Sequence, residues 1–147
     1  MLEIITHASG EVYPKEGDFL AMRLYESGRF EYDSYPPQDP PKVTIDNVTI
    51  TKKEAKLSPE DVKELISLAE QPDFLSAQDK YPSLHQHIDD TWITTIKFTY
   101  QGREKKIVAV NFWDIRDFPK DQSKYPPSMV KLLERAYEFK AKAIQSH

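Results

Sequence analysis

The chain predicts an α+β fold: a mainly antiparallel sheet of about five or six strands with two helices packed on one face. Three observations carry that expectation. Phe19–Tyr25 and Phe30–Tyr32 are strand formers interrupted by Glu26-Ser27-Gly28, and Thr91–Tyr100 and Ile107–Phe112 are strand formers interrupted around Gln101-Gly102. Each pair reads as a β-hairpin. Two further stretches, after Ser58-Pro59 and after Pro127, place apolar residues at helical spacing. Two helices cover one face of such a sheet. The other face, carrying Thr95, Lys97, Thr99, Arg23 and Glu31, is expected toward solvent or a partner.

Leu2–Thr6 reads as a first strand, and Gly10–Asp18, with Pro14 and Gly17, as a loop. In the first hairpin a three-residue loop with Gly28 in the left-handed region sets Leu24 opposite Phe30 and Met22 opposite Tyr32. All four then share one face. Tyr35–Pro41 holds four prolines. It is a stiff connector, because proline lacks an amide donor and fixes φ. A strand follows over about Val48–Leu57. Ser58-Pro59-Glu60-Asp61 opens a helix: the hydroxyl accepts from first-turn amides, proline sits where no donor is needed, and the acids face the positive end of the dipole. Val62, Leu65, Ile66 and Ala69 form its stripe, Pro72 ends it, and Phe74 and Leu75 are expected in the core. Gln78–Asp90 and Asp114–Pro127 read as polar loops. In the second hairpin an odd loop length would set Trp92, Ile96 and Phe98 against Val108, Val110 and Phe112. A two-residue loop would set them against Lys105, Ile107, Ala109 and Asn111, and the odd loop is the better apolar match. The last helix runs over about Pro127–Ile144, with Met129, Leu132, Leu133, Ala136 and Tyr137 toward the sheet.

With 147 residues, a single domain over 1–147 is expected. There is no cysteine, which excludes disulfides, thiolate catalysis and cysteine-ligated metal clusters. A net charge of −4 argues against nucleic acid as a partner. No apolar run approaches a membrane span. The first residues lack the basic-then-apolar pattern of a signal peptide, so the expected compartment is the cytoplasm if Met1 is the native start. Export through a segment preceding Met1 is the alternative. The four glycines are scattered, which excludes a phosphate-cradling loop, and Ser83 lacks the Gly-flanked turn of a hydrolase nucleophile. No cofactor is implied.

One polar cluster stands out. The second hairpin should bring the start of its first strand beside the end of its second, so His85, His87, Asp89 and Asp90 should lie near Asp114, Arg116 and Asp117. His85, His87, Asp90 and Asp114 form a candidate set for a divalent metal or an acid–base pair, because imidazole titrates near neutrality and pairs with carboxylate ligands. Trp92, Arg116 and Asp117 are further candidate binding residues. Polar residues at loop mouths ordinarily cap turns, and Arg116 is placed to pair with Asp89 or Asp90, so a structural cluster outweighs the metal reading.

The order of features resembles a family of small bacterial domains of unknown function, often exported or lipoprotein-borne. The resemblance rests on Glu26-Ser27-Gly28 with Phe30 and Tyr32, Leu57-Ser58-Pro59-Glu60-Asp61-Val62 with Leu65, Phe74, Asp90–Thr94, Tyr100-Gln101-Gly102-Arg103 and the proline-started last helix. It covers Phe19–Tyr137 and implies a fold but no activity. In that family a Cys-bearing segment precedes the first hairpin, whereas Ser9–Pro14 here has none. The leading functional expectation is a non-enzymatic binding or protein-interaction module, using the open sheet face or an edge strand. The alternative is a metal-assisted or acid–base hydrolase using His85, His87, Asp90 and Asp114.

Overall fold

In the computed structural model, residues 1–9, 19–34, 51–82, 91–110 and 119–145 are described. They form strands β1 (Leu2–Ser9), β2 (Phe19–Leu24), β3 (Arg29–Ser34) and β4 (Thr51–Lys56), helices α1 (Pro59–Ala69) and α2 (Pro72–Leu75), then β5 (Lys80–Tyr81), β6 (Thr91–Tyr100), β7 (Arg103–Val110), a 3₁₀ turn at Pro119–Lys124, and α3 (Pro127–Gln145). The α+β class stands. The sheet has seven strands in the order β4-β3-β2-β1-β6-β7-β5. It is mixed rather than wholly antiparallel, because β5 runs parallel to β7. The added strand and the added helix come from segments read as a polar loop or as a plain helix stop. Lys80-Tyr81 is too short to show a period, and Pro72, which ends α1, also starts α2 as its first residue.

The first strand in sequence lies mid-sheet, pairing with β2 on one side and β6 on the other. Its period of two explains this position: Leu2, Ile4 and Thr6 are buried, while Glu3 and Ile5 are half-buried on the opposite face. The core joins Leu2 and Ile4 to Met22, Leu24, Phe30, Tyr32, Ile96, Phe98, Ile107 and Ala109 from neighbouring strands. From above come Val62, Leu65 and Ala69 of α1, Phe74 of α2, and Met129, Leu132, Leu133, Ala136 and Phe139 of α3. Arg23, Glu31, Thr95, Lys97 and Thr99 lie half-buried on the other face, as alternation requires. On that face Arg23 donates to Glu3 at 2.7 Å. Inside the core the hydroxyls of Thr6 and Thr94, directly opposite across β1 and β6, share a hydrogen bond of 3.0 Å.

The first hairpin has the expected register, with Met22 opposite Tyr32 and Leu24 opposite Phe30. The Gly28 amide donates to the Tyr25 carbonyl, and Gly28 takes φ +92°. The second hairpin does not have the expected odd loop. Tyr100 pairs with Arg103, so the turn is the two-residue Gln101-Gly102, and Ile96 faces Ile107 while Phe98 faces Lys105. Gln101 (φ 49°) and Gly102 (φ 78°) are both left-handed, the primed-turn geometry whose twist matches the flanking strands. Turn geometry thus prevailed over apolar matching, and Val108 and Val110 lie half-buried on the open face. Leu75 is a second correction. It is 39% exposed, because α2 is a single turn that aims Phe74 into the core and its neighbour outward.

Helix α1 starts as read: the Ser58 hydroxyl accepts from the Asp61 amide at 3.1 Å. Helix α3 has no such local cap, since Pro126 and Pro127 precede Ser128. Its acceptor comes from α2 instead. Asp73 takes the Ser128 amide at 2.9 Å and the Ser128 hydroxyl at 2.7 Å. Between α1 and α3, Arg135 grips Glu64 through two bonds of 2.9 and 3.0 Å, also donates to Glu138, and lies over the Phe139 ring.

Candidate functional site

A long surface hollow lies at the end of the sheet that carries both hairpin tips. There the tip of the β2–β3 hairpin, the last residue of β4 and the side of α1 bound a trough of about 770 Å3, lined among others by Lys56, Leu57, Lys63, Ile66, Glu70 and Tyr100. A second hollow of about 480 Å3 continues past Tyr100 and Glu70 to Phe98, Leu75, Arg103 and Lys105. Tyr100 and Glu70 line both. Tyr100 is half-buried, and its ring stacks on Phe98 with centroids 6.0 Å apart.

Local chemistry builds each wall. Gly28 lets the hairpin tip lie against the end of β4, where the Leu57 amide donates to the Gly28 carbonyl at 2.9 Å. A Cβ on Gly28 would meet the Leu57 carbonyl at 2.9 Å, so only glycine fits there. Lys56 donates to the Ser27 carbonyl at 2.5 Å and ties the same two elements from outside. Ile66 belongs to the apolar stripe of α1 but lies at its margin, half-buried where Leu65 and Ala69 are sealed. At the far end Lys105 donates to the Ala77 carbonyl at 2.5 Å, with Asp79 at 3.6 Å. The result is an apolar floor between rims that carry both signs of charge: Lys56, Lys63 and Arg103 against Glu26, Glu70 and Glu104.

This arrangement suits recognition of a side chain or a chain segment. Among the described residues no three His, Cys, Asp or Glu side chains gather in a metal-binding group. No helix among them is long and apolar enough to cross a membrane.

Two groups with shifted acidity hold the helices that frame the site. Hydrogen bonds from Arg135 hold the Glu64 carboxyl below its ordinary value. Burial opposes ionisation of Asp73, but the hydrogen bonds from Ser128 and the Phe74 amide outweigh it and hold that carboxyl low as well.

The polar cluster expected from the sequence, His85, His87, Asp89, Asp90, Asp114, Arg116 and Asp117, lies outside the described residues. So does the side chain of Trp92, whose backbone pairs with Ala8. Ile93 does pair with Val110, which brings the start of β6 beside the end of β7. The trough at the opposite end of that hairpin was not foreseen. Its only sequence signals were Tyr100 directly before the turn and Ile66 beside a stripe already complete with Leu65 and Ala69. Neither distinguishes a groove lining from ordinary packing.

No curated protein matches the chain. Residues 20–136 match the family model described as "Domain of unknown function (DUF6438)". The matched stretch runs from β2 into α3 and begins after the Cys-free segment Ser9–Pro14. Because the match covers most of its length, the chain belongs to the DUF6438 family.

Proposed function

We propose that the chain is one folding unit, residues 1–147, that serves as a non-enzymatic protein-interaction module, with the trough around Tyr100 as the surface that receives a partner. One observation carries the reading: the half-buried Ile66 and Tyr100 floor a hollow of about 770 Å3 whose rims bear charges of both signs. An apolar floor inside a polar rim is the anatomy of a surface that desolvates a partner's anchoring side chain while charged neighbours orient it. The size of the hollow falls in the range of ligand sites, but it is open along its length, which favours a chain segment over a small enclosed molecule. Among the described residues, one buried cluster that includes both Leu2 and Ala143 supports the single-unit reading.

The test is selection of binders from a random peptide display library. Selected peptides should carry an aromatic or branched apolar anchor. They should lose binding by about tenfold or more on Ile66→Ser, the loss expected for an anchor contact of this kind. Amide shifts should map to α1 and the two hairpin tips. Selected peptides that bind Ile66→Ser and Tyr100→Ala as tightly as the parent protein would remove the trough from consideration.

A further inference from the structure

The two hollows that meet at Tyr100 differ in charge. Around the larger one Lys56 and Lys63 balance Glu26 and Glu70. In the smaller one the strand register sorts the charges. Tyr100 pairs with Arg103, and Phe98 with Lys105. Opposed residues of an antiparallel pair project to the same face. Phe98 is buried against α2, its ring edge-on to Phe74 with centroids 6.4 Å apart. Arg103 and Lys105 therefore stand on the helix-covered side, beside the stacked rings of Phe98 and Tyr100. Glu104 alternates to the other face, where Lys97 lies 3.9 Å away. That leaves two cations, Arg103 and Lys105, against the carboxylate of Glu70 in the lining of the smaller hollow.

Both cations have donors to spare. The Lys105 side chain is only 17% exposed, and it gives one bond, to the Ala77 carbonyl at 2.5 Å. An ammonium carries three donors. Its nearest carboxylate, Asp79, lies 3.6 Å away with a side chain 93% exposed, so water screens that attraction. Arg103 is exposed and has no ion-pair partner among the described residues. The connections that bound this end of the sheet, residues 25–28, 57–58 and 101–102, are all described, as is the run 59–81 that holds α1, α2 and β5. We infer that the smaller hollow takes the carboxylate of an Asp or Glu side chain in a protein partner, held by Lys105 and Arg103 beside Tyr100. The apolar anchor that flanks this acid lies over Ile66 in the larger hollow. The inference rests on the interaction reading and names the chemistry of the segment. Because the hollows continue into each other past Tyr100, the segment runs through, and its acid is a side chain rather than a chain end. A neutral segment would cover Lys105 without supplying a counter-charge, which sets the preference.

The experiment uses the intact chain and peptides selected on it from a random display library, then synthesised with both ends blocked so that every carboxylate is a side chain. The selected peptides should carry Asp or Glu beside the apolar anchor. Replacing that acid with its amide should weaken binding about tenfold or more. Lys105→Gln keeps a donor for the Ala77 carbonyl, and Arg103→Gln alters an exposed side chain. Each should weaken the acidic peptide about tenfold while changing its amide counterpart less than about threefold, the coupling that a double-mutant cycle reads. Arg103→Glu should turn the preference toward a peptide with Lys in place of the acid. Equal losses for the acidic and amide peptides would mean that the cations only support the fold, and would overturn the inference. So would selected peptides without an acid, or binding that appears only when the terminal carboxylate is left free. Peptides that lose binding on Ile66→Ser yet ignore the amide replacement and both glutamine variants would sink this inference alone and leave the trough reading standing. A library that yields no binder would remove both.

Discussion

Helix α3 supplies seven buried residues to the core, yet the acceptor for its first turn belongs to another helix. Asp73→Ala should therefore act far beyond the single turn it sits in. The carboxylate accepts two bonds, from the amide and the hydroxyl of Ser128, at 2.9 and 2.7 Å. Loss of an N-terminal cap costs about 0.5–2 kcal/mol, and a hydrogen bond to a charged group contributes about 1.5–3 kcal/mol. The same carboxylate serves both roles, so the two figures overlap rather than add, and about 2 kcal/mol is expected at neutral pH. For a chain of this size that is a fall in Tm of about 4–8 °C. Ser128→Ala removes only the hydroxyl bond and should cost about 1 kcal/mol, with much of that cost absent when Asp73 is already alanine.

Urea unfolding of the four proteins of this double-mutant cycle, followed by circular dichroism, measures each value. The pH dependence sharpens it. Asp73 titrates below its ordinary value in the folded protein, while in the unfolded chain it titrates near about 3.9. Its contribution is then full above that range and is lost as pH falls through the folded value. Glu64 is lowered too and acts in the same direction, though water screens it because its side chain is 38% exposed. The gap between parent and Asp73→Ala should therefore narrow as the medium is acidified below about pH 4. A gap under about 0.5 kcal/mol at pH 7, or one that does not narrow in acid, would refute the borrowed-cap argument.

Four further outcomes are expected. Gly28→Ala should destabilise more than Gly102→Ala in urea melts: both sit at positive φ, but only at Gly28 does a Cβ meet backbone, the Leu57 carbonyl at 2.9 Å. Thr6→Val alone should cost about 1–3 kcal/mol by orphaning the Thr94 hydroxyl in the core. The double Thr6→Val, Thr94→Val variant should recover most of that loss in the same melts, and a double variant worse than the sum of the singles would contradict the pairing. Tyr32→Phe should be neutral or slightly stabilising in thermal melts, because the buried Tyr32 hydroxyl has no hydrogen-bond partner among the described residues. Zinc or manganese should leave the Tm of the purified protein unchanged. A stoichiometric shift abolished by His85→Ala and His87→Ala would replace the interaction reading with the metal one.

Local signals predicted the elements wherever a single residue does a local job. Ser58 before Pro59 announced α1 and caps it as read. Gly28 announced the first turn and its register. The stripe from Met129 to Ala136 announced the buried side of α3. The misreadings came where two local rules competed. At Gln101-Gly102 the match of apolar partners suggested one register and the twist of a two-residue turn imposed another. At Leu75 adjacency to Phe74 suggested burial, but one turn of helix points neighbours in different directions.

The alternation of Leu2, Ile4 and Thr6, the punctuation by glycine and proline, and the two apolar stripes carry the class of fold in themselves. Each is a property of a few consecutive residues, and side-chain direction along a strand or helix follows from backbone period alone. The central place of β1, the cap that α3 takes from Asp73, and the meeting of Tyr100 with Ile66 and Lys56 have no such local origin. They join residues that the chain holds far apart, and only the packing of helices onto the sheet brings them together.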